Sequence, residues 1–244
     1  MSVIVINNFI TQASSTLKSG LIGYWALDEA SGTRSDSHSN GLDLTDNNTV
    51  GQGTGNVYAN CADLEKSNSE YLSHADDSLF SPSSLTVSLW VKLESQPSNN
   101  TGYIIASKDD YASTSNREFA LSYENSAGSI RVVLYFLYGA SFSTAVSTFG
   151  ALSNGTWYLV TFRHDQGTQI DVSINAGTVD STSLNQTMNN GTAPFALGAH
   201  YNSGRAESYY DGLMGPAAMW DRALSDSEVS EFYNSGSGKE YSEL

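Results

Sequence analysis

The sequence predicts an all-β sandwich, and three observations favour this class. From Leu21 onward, short β-prone runs alternate with turn-forming segments at short intervals, as they do in sandwiches. Every second residue from 85 to 93 is apolar, which predicts a strand with one face on a core. Charged residues make up only 15% of the chain, and a surface rich in Ser, Thr, Asn and Gly suits many turns.

Two further stretches define strands in the middle of the chain. Residues 131–138 are apolar on both faces, which predicts a central strand covered on both sides. Residues 165–168 read Asp-Gln-Gly-Thr and separate two β-rich runs, at 157–164 and 169–174. This arrangement predicts a hairpin loop.

One helix is marked near the C-terminus. Ser225 is a favourable N-cap, and Glu228, three residues later, completes a capping box. Leu224 and Val229 are spaced to form a hydrophobic staple across the first turn. Gly236 lies where a glycine often ends a helix. The sequence therefore predicts a helix near residues 225–234.

Several separated segments, taken in chain order, carry a family resemblance. They read LIGYWALDE at 21–29, LTVSLWV at 85–91, GTWYLVTF at 155–162, ALGA at 196–199, YDGLMG at 210–215 and WDRALSDSEV at 220–229. This order resembles laminin-G-like (concanavalin A-like) jelly-roll domains. The resemblance implies a jelly-roll sandwich of two antiparallel sheets with one short C-terminal helix. It also implies a binding or structural role.

We expect one domain with a short lead-in. No proline-rich linker interrupts residues 20–236, so residues 20–244 are assigned to the jelly-roll domain. Residues 1–19 are predicted to be an N-terminal arm or edge strand, because a β-prone run at 3–6 is followed by polar residues. Since an exposed strand can pair with a neighbouring sheet edge, we hypothesise that this arm anchors the domain to a partner or to copies of itself.

Charge and cysteine content exclude several classes of protein. The chain carries 11 Lys and Arg against 26 Asp and Glu, a net charge of −15, and such a field repels phosphate backbones. No nucleic acid partner is expected. The single cysteine, Cys61, allows no intramolecular disulfide and is predicted to pack as a small buried residue. The N-terminus lacks a signal-peptide pattern and no stretch has transmembrane length, so we expect synthesis in a cytoplasm and no membrane partner.

No catalytic residue is predicted. Glucanases of the resembled fold carry three carboxylates on one strand as E-x-D-x-x-E, and the sequence contains no such strand. Asp63 and Glu65 alternate correctly but lack a third partner at the right distance. The four histidines are scattered among different elements. We therefore expect a protein that is not an enzyme.

A calcium site is predicted from the resemblance. Residues 36–43, DSHSNGLD, resemble the acidic loop that follows the first strand in the family. Asp36, Asn40 and Asp43 could supply the oxygen ligands that Ca²⁺ prefers, with Asp211 as a remote partner. Gly215 and the proline after it replace an acidic pair usual in the family. The alternative is that Asp36 and Asn40 are turn residues bonded to their own backbone.

Glycan binding is predicted at four tyrosines. Sugars dock on exposed aromatic rings beside polar side chains, and Tyr103, Tyr111, Tyr201 and Tyr209 lie in or near polar, Gly/Ser/Asn-rich segments. For each, ordinary partial burial is the alternative. Possible polar neighbours are Asn100, Thr101, Asn116, Arg117, Asn202 and Ser203. The aromatic residues Tyr24, Trp25, Trp90 and Trp157 lie within apolar strands and are predicted to belong to the core.

These observations favour a non-catalytic binding or structural module. The chain is similar to stand-alone laminin-G-like proteins of phages and environmental bacteria, which implies a virion surface component: a decoration, fibre or tail-associated protein. The implied partners are capsid or tail proteins and surface glycans, with a virion or extracellular location and possible homo-oligomers. Two alternatives stay open: a carbohydrate-binding module of a secreted enzyme system, and a glycoside hydrolase with an unfamiliar carboxylate pair.

Overall fold

Two large antiparallel sheets pack face to face in the computed structural model, which describes residues 15–244. The strands are β1 (Leu21–Trp25), β2 (Thr45–Asn47), β3 (Gly51–Thr54), β4 (Asn60–Leu64), β5 (Tyr71–His74), β6 (Leu85–Leu93), β7 (Thr101–Asp109), β8 (Arg117–Ser126), β9 (Ser129–Tyr138), β10 (Ser141–Val146), β11 (Trp157–Asp165), β12 (Gln169–Ile174), β13 (Val179–Ser183), β14 (Phe195–Leu197), β15 (His200–Asn202), β16 (Arg205–Glu207) and β17 (Gly212–Trp220). One α-helix, α1 (Asp226–Tyr233), follows among the described residues. The predicted jelly-roll sandwich with a short C-terminal helix is confirmed.

We call the eight-stranded sheet the back sheet and the seven-stranded sheet the front sheet. The back sheet has the order β13-β12-β11-β6-β17-β4-β3, with β1 paired to β17. The front sheet has the order β10-β9-β8-β7-β14-β5-β2. A separate small hairpin joins β15 to β16. Neighbouring strands are often distant in sequence, so the sheets depend on long-range pairing.

The main core fills the space between the two sheets. The apolar side of β6 contributes Leu85, Val87 and its neighbours at every second position, as the alternation predicts. Trp25 stacks on Phe195 of the front sheet, with 5.5 Å between ring centroids. Its indole nitrogen donates to the Leu42 carbonyl at 2.7 Å, so the one polar atom of this buried ring is bonded. The predicted core positions of Tyr24, Trp25 and Trp90 are confirmed by their burial.

A second core covers the outer face of the back sheet. The residues after β17 fold back over this face, where Trp90 stacks on Tyr233 with centroids 5.7 Å apart. Trp220 is fully buried against Phe232 of α1. Because both faces of β6 are buried, its second side is not a solvent-exposed polar face. Trp157, predicted to be a core residue, is only half-buried here, with the Lys92 ammonium 5.3 Å from its ring centre.

The predicted helix signals are confirmed, with one difference at the end. The Ser225 hydroxyl accepts from the Glu228 amide at 3.3 Å, and the Glu228 carboxylate accepts from the Ser225 amide at 2.9 Å. Leu224 and Val229 are both buried in the second core. The left-handed residue that ends α1 is Asn234, with φ of 48°, rather than Gly236. Asparagine tolerates this conformation better than most residues because its short polar side chain can bond locally.

The chain just before β1 belongs to the packed domain. Leu17 is fully buried, and its carbonyl accepts from the Trp220 indole at 2.6 Å. The Arg222 guanidinium donates to the carbonyls of Thr16 and Ser19. The predicted boundary at residue 19 therefore cuts through contacts with the domain. Residues 1–14, which hold most of the predicted arm, lie outside the described residues.

Two smaller predictions, the hairpin at 165–168 and the buried cysteine, are also borne out. The 165–168 hairpin joins β11 to β12, with the Thr168 amide donating to the Asp165 carbonyl at 3.0 Å. Cys61 is fully buried, and this burial raises the pKa of its thiol to about 11. Within residues 15–244, no helix is long and apolar enough to cross a membrane.

Candidate binding groove

A groove of about 870 Å³ crosses the outer face of the front sheet. We call it the front groove. Its floor comes from β7, β8 and β9, and its walls come from β10, from the loop after β7 and from the β15–β16 hairpin. Its lining includes Gly102, Asp109, Tyr111, Arg117, Ala120, Ser122, Glu124, Arg131, Tyr135, Phe142 and His200.

Strand alternation creates the floor of this groove. On β8, Phe119 and the apolar residues at 121 and 123 point into the main core. The residues between them, Ala120, Ser122 and Glu124, line the groove. Across the neighbouring pair, Gly102 lies opposite Glu124. Small side chains at the centre of the sheet leave room, and larger side chains lie toward its edges, so the face is concave.

Two exposed aromatic rings stand on opposite walls. Tyr111 follows β7 and is 59% exposed, and Phe142 on β10 is 58% exposed. Tyr135 on β9 packs beside Phe142, with centroids 5.9 Å apart. The Arg117 guanidinium lies 4.4 Å from the centre of the Tyr111 ring, and His200 packs near the same ring at 6.2 Å. These contacts orient Tyr111 although its surface stays open.

The carboxylates of the groove are each paired with an arginine. Asp109, almost fully buried, accepts two bonds from Arg117, at 2.7 and 3.3 Å. Burial raises the pKa of the Asp109 carboxyl, and the Arg117 guanidinium opposes that effect. Glu124 pairs with Arg131 at 3.3 Å and accepts from the Tyr135 hydroxyl at 2.8 Å. Burial and the adjacent Glu124 carboxylate raise the pKa of Tyr135 to about 12.

The four predicted tyrosines do not form one site. Tyr111 lies in the front groove. Tyr201 and Tyr209 are half-buried at the β15–β16 hairpin, where each packs on Tyr71 at about 6 Å between centroids. The Tyr201 carbonyl accepts from the Tyr111 amide at 2.8 Å, which joins this hairpin to the groove wall. Sugar binding by these tyrosines stays a prediction.

The exposure expected for Tyr103 is wrong. The side chain is 2% exposed and belongs to the main core, with its hydroxyl bonded to Ser95 at 2.7 Å. Residues 99 and 100 form a turn, and β7 begins at Thr101, two residues before Tyr103. On that strand Tyr103 occupies a core-facing position, because successive side chains alternate between the two faces.

Sequence reasoning missed Glu124, Arg131, Tyr135 and Phe142. Residues 131–138 carried the signal, and the predicted cover on both faces holds for Val133 and Leu137, which are buried. β9 lies next to the edge strand β10, and Arg131 and Tyr135 on its second face line the groove. Among the suggested polar neighbours, Asn100, Thr101 and Arg117 do line the groove.

The residues predicted to bind calcium after β1 make hydrogen bonds within their own loop and to β1. Both oxygens of Asp36 accept backbone bonds, from the amides of Tyr24 at 3.0 Å, His38 at 2.9 Å and Leu42 at 3.2 Å. Asp43 accepts from the Asp36 amide at 2.8 Å, and the Asn40 side chain donates to the Ile22 carbonyl at 2.7 Å.

This pattern fits the turn alternative. Asp211, the predicted remote partner, instead accepts bonds from the Lys66 amide and the Ser95 hydroxyl. Asp211 thus bonds to residues outside the loop that holds Asp36, Asn40 and Asp43. Calcium binding by the chain stays a prediction.

A different group of carboxylates does come together. Asp63, Glu65 and Glu94 each offer an oxygen, and these oxygens lie within 4.8 Å of one another. The expectation that Asp63 and Glu65 lack a third partner is wrong. Glu94 follows β6, and both β4 and β6 pair with β17, so the ends of these strands meet. Burial raises the pKa of all three carboxyls, and Asp211 adds a further repulsion.

The fold and the sequence together define the family. A family model described as the Concanavalin A-like lectin/glucanases superfamily, of the laminin-G class, matches residues 66–230. The chain therefore belongs to this superfamily. No curated protein sequence matches the chain.

Solved structures with the same fold include binding domains of toxins and of an enzyme. The binding domain of Paraclostridial Mosquitocidal Protein 1 has a TM-score of 0.72 and 15% identity, covering 90% of this chain and 53% of that one. Domain 4 of AbnA, a GH43 extracellular arabinanase from Geobacillus stearothermophilus, in complex with arabinotriose, has a TM-score of 0.63, 21% identity and coverage of 86% and 97%.

The binding domain of Botulinum Neurotoxin DC, in complex with SialylT, has a TM-score of 0.66 and 12% identity, covering 89% of this chain and 52% of that one. The chain thus spans about half the length of these toxin domains and nearly the whole of the arabinanase domain. At these identities the likeness establishes the fold alone.

Proposed function

We propose that this domain is a non-catalytic carbohydrate-binding module whose ligand occupies the front groove. The observation that carries the proposal is the pair of exposed rings, Tyr111 and Phe142, on opposite walls of a groove with a polar floor. A concave site that combines aromatic rings with a few placed polar groups is the usual arrangement of a ligand site.

The chemistry of the groove suits a sugar chain. The apolar C–H face of a pyranose or furanose ring packs on an aromatic ring, which contributes both area burial and favourable ring geometry. Hydroxyl groups need donors and acceptors together, and the Asp109–Arg117 and Glu124–Arg131 pairs offer both. These pairs already fix the side chains, so little side-chain freedom is lost when a ligand binds.

Two structures of the same fold support this choice because each is a complex with a ligand. The arabinanase domain is in complex with arabinotriose, and the neurotoxin domain is in complex with SialylT. We also propose that the domain acts on a virion surface or outside a cell, with capsid or tail proteins as partners. This second part of the proposal rests on the family resemblance given above.

Alanine substitution of the two rings tests the groove. Binding to a panel of soluble polysaccharides, arabinan included, is measured by affinity electrophoresis and then by calorimetry. We expect Tyr111→Ala and Phe142→Ala each to weaken binding about tenfold or more, which corresponds to about 1.4 kcal/mol. The matched control is Phe149→Ala, since Phe149 is 50% exposed but lies outside the groove, and it should leave affinity unchanged.

Two outcomes would contradict the proposal. One is polysaccharide binding that neither groove substitution affects. The other is release of reducing sugar ends that stops when Asp63 or Glu94 is changed to the amide, which would favour the glycoside hydrolase alternative. The close carboxylates are the observation that keeps this alternative testable, since retaining hydrolases use two carboxyl groups about 5 Å apart.

A further inference from the structure

The charges inside the front groove cancel locally. Arg117 is held by Asp109 through two bonds, and Arg131 is held by Glu124. His200 lies 3.2 Å from Glu207, outside the groove floor. A carboxylated ligand would find each guanidinium already occupied by a protein carboxylate.

The surroundings of the groove are acidic. Lys66, the other cation on its lining, follows Glu65, and its ammonium lies 4.9 Å from the centre of the Tyr103 ring. Asp110 lies directly after Asp109, and its carboxylate accepts from the Ser203 amide at 2.8 Å. The chain as a whole carries a net charge of −15. A polyanion is therefore repelled on approach, and it finds both arginines of the groove already paired with carboxylates.

We propose that the front groove selects neutral glycans over carboxylated ones, and that Glu124 is the residue that sets this selectivity. The inference rests on the proposed function. Glu124 is the residue to examine because it holds Arg131, whose side chain is 36% exposed and faces the ligand space. Asp109 is almost fully buried and serves to position Arg117.

Glu124→Gln should change the selectivity without changing the shape of the groove. Glutamine keeps the length of the side chain and an oxygen that can accept from the Tyr135 hydroxyl. The substitution removes the negative charge, so Arg131 becomes free to bind a carboxylate with two parallel bonds. The local charge of this pair changes from zero to +1.

The test uses uronic-acid polysaccharides in two forms, native and carboxyl-reduced. Reduction converts each carboxylate to a hydroxymethyl group and keeps every linkage, so the two forms differ only at that carbon and its charge. For the wild-type protein we expect the reduced form to bind about tenfold or more tightly than the native form. For Glu124→Gln we expect the affinity for the native form to rise about tenfold, with a smaller change for the reduced form.

Two control variants distinguish the effect of the charge inside the groove from the effect of the net charge of the protein. Glu231→Gln removes one carboxylate from α1, where Glu231 pairs with Lys239 at 3.4 Å, and it should leave the ratio unchanged. Adding Arg131→Gln to Glu124→Gln should abolish the gained binding of the native form. Circular dichroism and melting curves establish that each variant is folded.

The outcomes distinguish the two proposals. Binding that depends on Tyr111 but shows no preference for the reduced form would overturn the neutral-ligand inference alone. So would a Glu124→Gln variant with an unchanged ratio, or a Glu231→Gln variant that shifts it equally. Binding of reduced and native forms that is indifferent to Tyr111→Ala would overturn the proposed function itself.

Discussion

The outer faces of the two sheets differ, although strand alternation places every second residue on the outer face of each. On the back sheet, the outward side chains include Trp90 and Trp220, and the C-terminal segment covers them. On the front sheet, the outward-facing residues at the centre include Gly102, Ala120 and Ser122, and these residues line the open groove. The cover over the two tryptophans is favourable because it removes their large apolar area from water. Small outward residues leave a depression that stays open, so one face became a second core and the other a candidate site.

The largest effect on stability is expected when an aromatic side chain is removed from the covered face of the back sheet. We expect Trp90→Ala to lower the free energy of unfolding by about 3–5 kcal/mol, because the removed ring leaves a cavity under Tyr233. Phe142→Ala on the open face should change it by about 0.5 kcal/mol or less. Urea unfolding measures both. Equal effects at the two positions would contradict the distinction between a covered and an open face.

A smaller effect is expected at the loop that follows β1. Asp36→Ala removes the acceptor for the amides of Tyr24, His38 and Leu42, so we expect a loss of about 1–3 kcal/mol of stability. Tyr24 belongs to the second core, so this loss weakens the covered side. Melting curves with chelator and with added calcium complete the measurement. A wild-type melting temperature that chelation lowers and calcium restores, with no such shift in Asp36→Ala, would favour calcium over the turn.

The smallest effect on stability is expected at low pH, where the ion pair between Glu228 and Arg222 in the C-terminal segment is lost. Glu228 accepts bonds from Arg222 at 2.7 and 2.9 Å, and this pairing holds the pKa of its carboxyl well below the usual range. A depressed folded-state pKa contributes stability above the unfolded value, near 4.3, and loses it as pH falls toward the folded value. We expect Glu228→Gln to be less stable than wild type at pH 7.

The same variant should match wild type more closely as pH falls below 4. Unfolding measured at intervals between pH 7 and 2 gives the comparison, and Glu231→Gln is the control on the same helix. A stability difference that is constant over this range would show that Glu228 contributes by packing rather than by its charge.

Local signals in the sequence were sufficient for several elements. The capping box at Ser225 and the 165–168 hairpin depend on residues within a few positions of one another, so their physics is complete in a short segment. The alternation along β6 likewise identified a core-facing side. The order of family-like segments then gave the jelly-roll class.

Tertiary structure decided the candidate site. Tyr103 and Tyr111 lie on neighbouring stretches with similar polar surroundings, yet Tyr103 is buried because it faces the core from β7, and Tyr111 is exposed because it lies in the loop after that strand. Glu94 joins Asp63 only because β17 pairs with both of their strands. The front groove requires β7 to β10 to lie side by side.

The sequence by itself determined the class of fold, the helix with its cap, the strongest hairpin and the acidic character of the chain. Each of these depends on composition or on residues close together along the chain. The second core, the open groove and the pairing of its arginines were decided only when distant strands came into register. The reason is that alternation along a strand determines which residues share a face. Pairing with distant strands then determines whether that face packs on a core or is exposed to solvent.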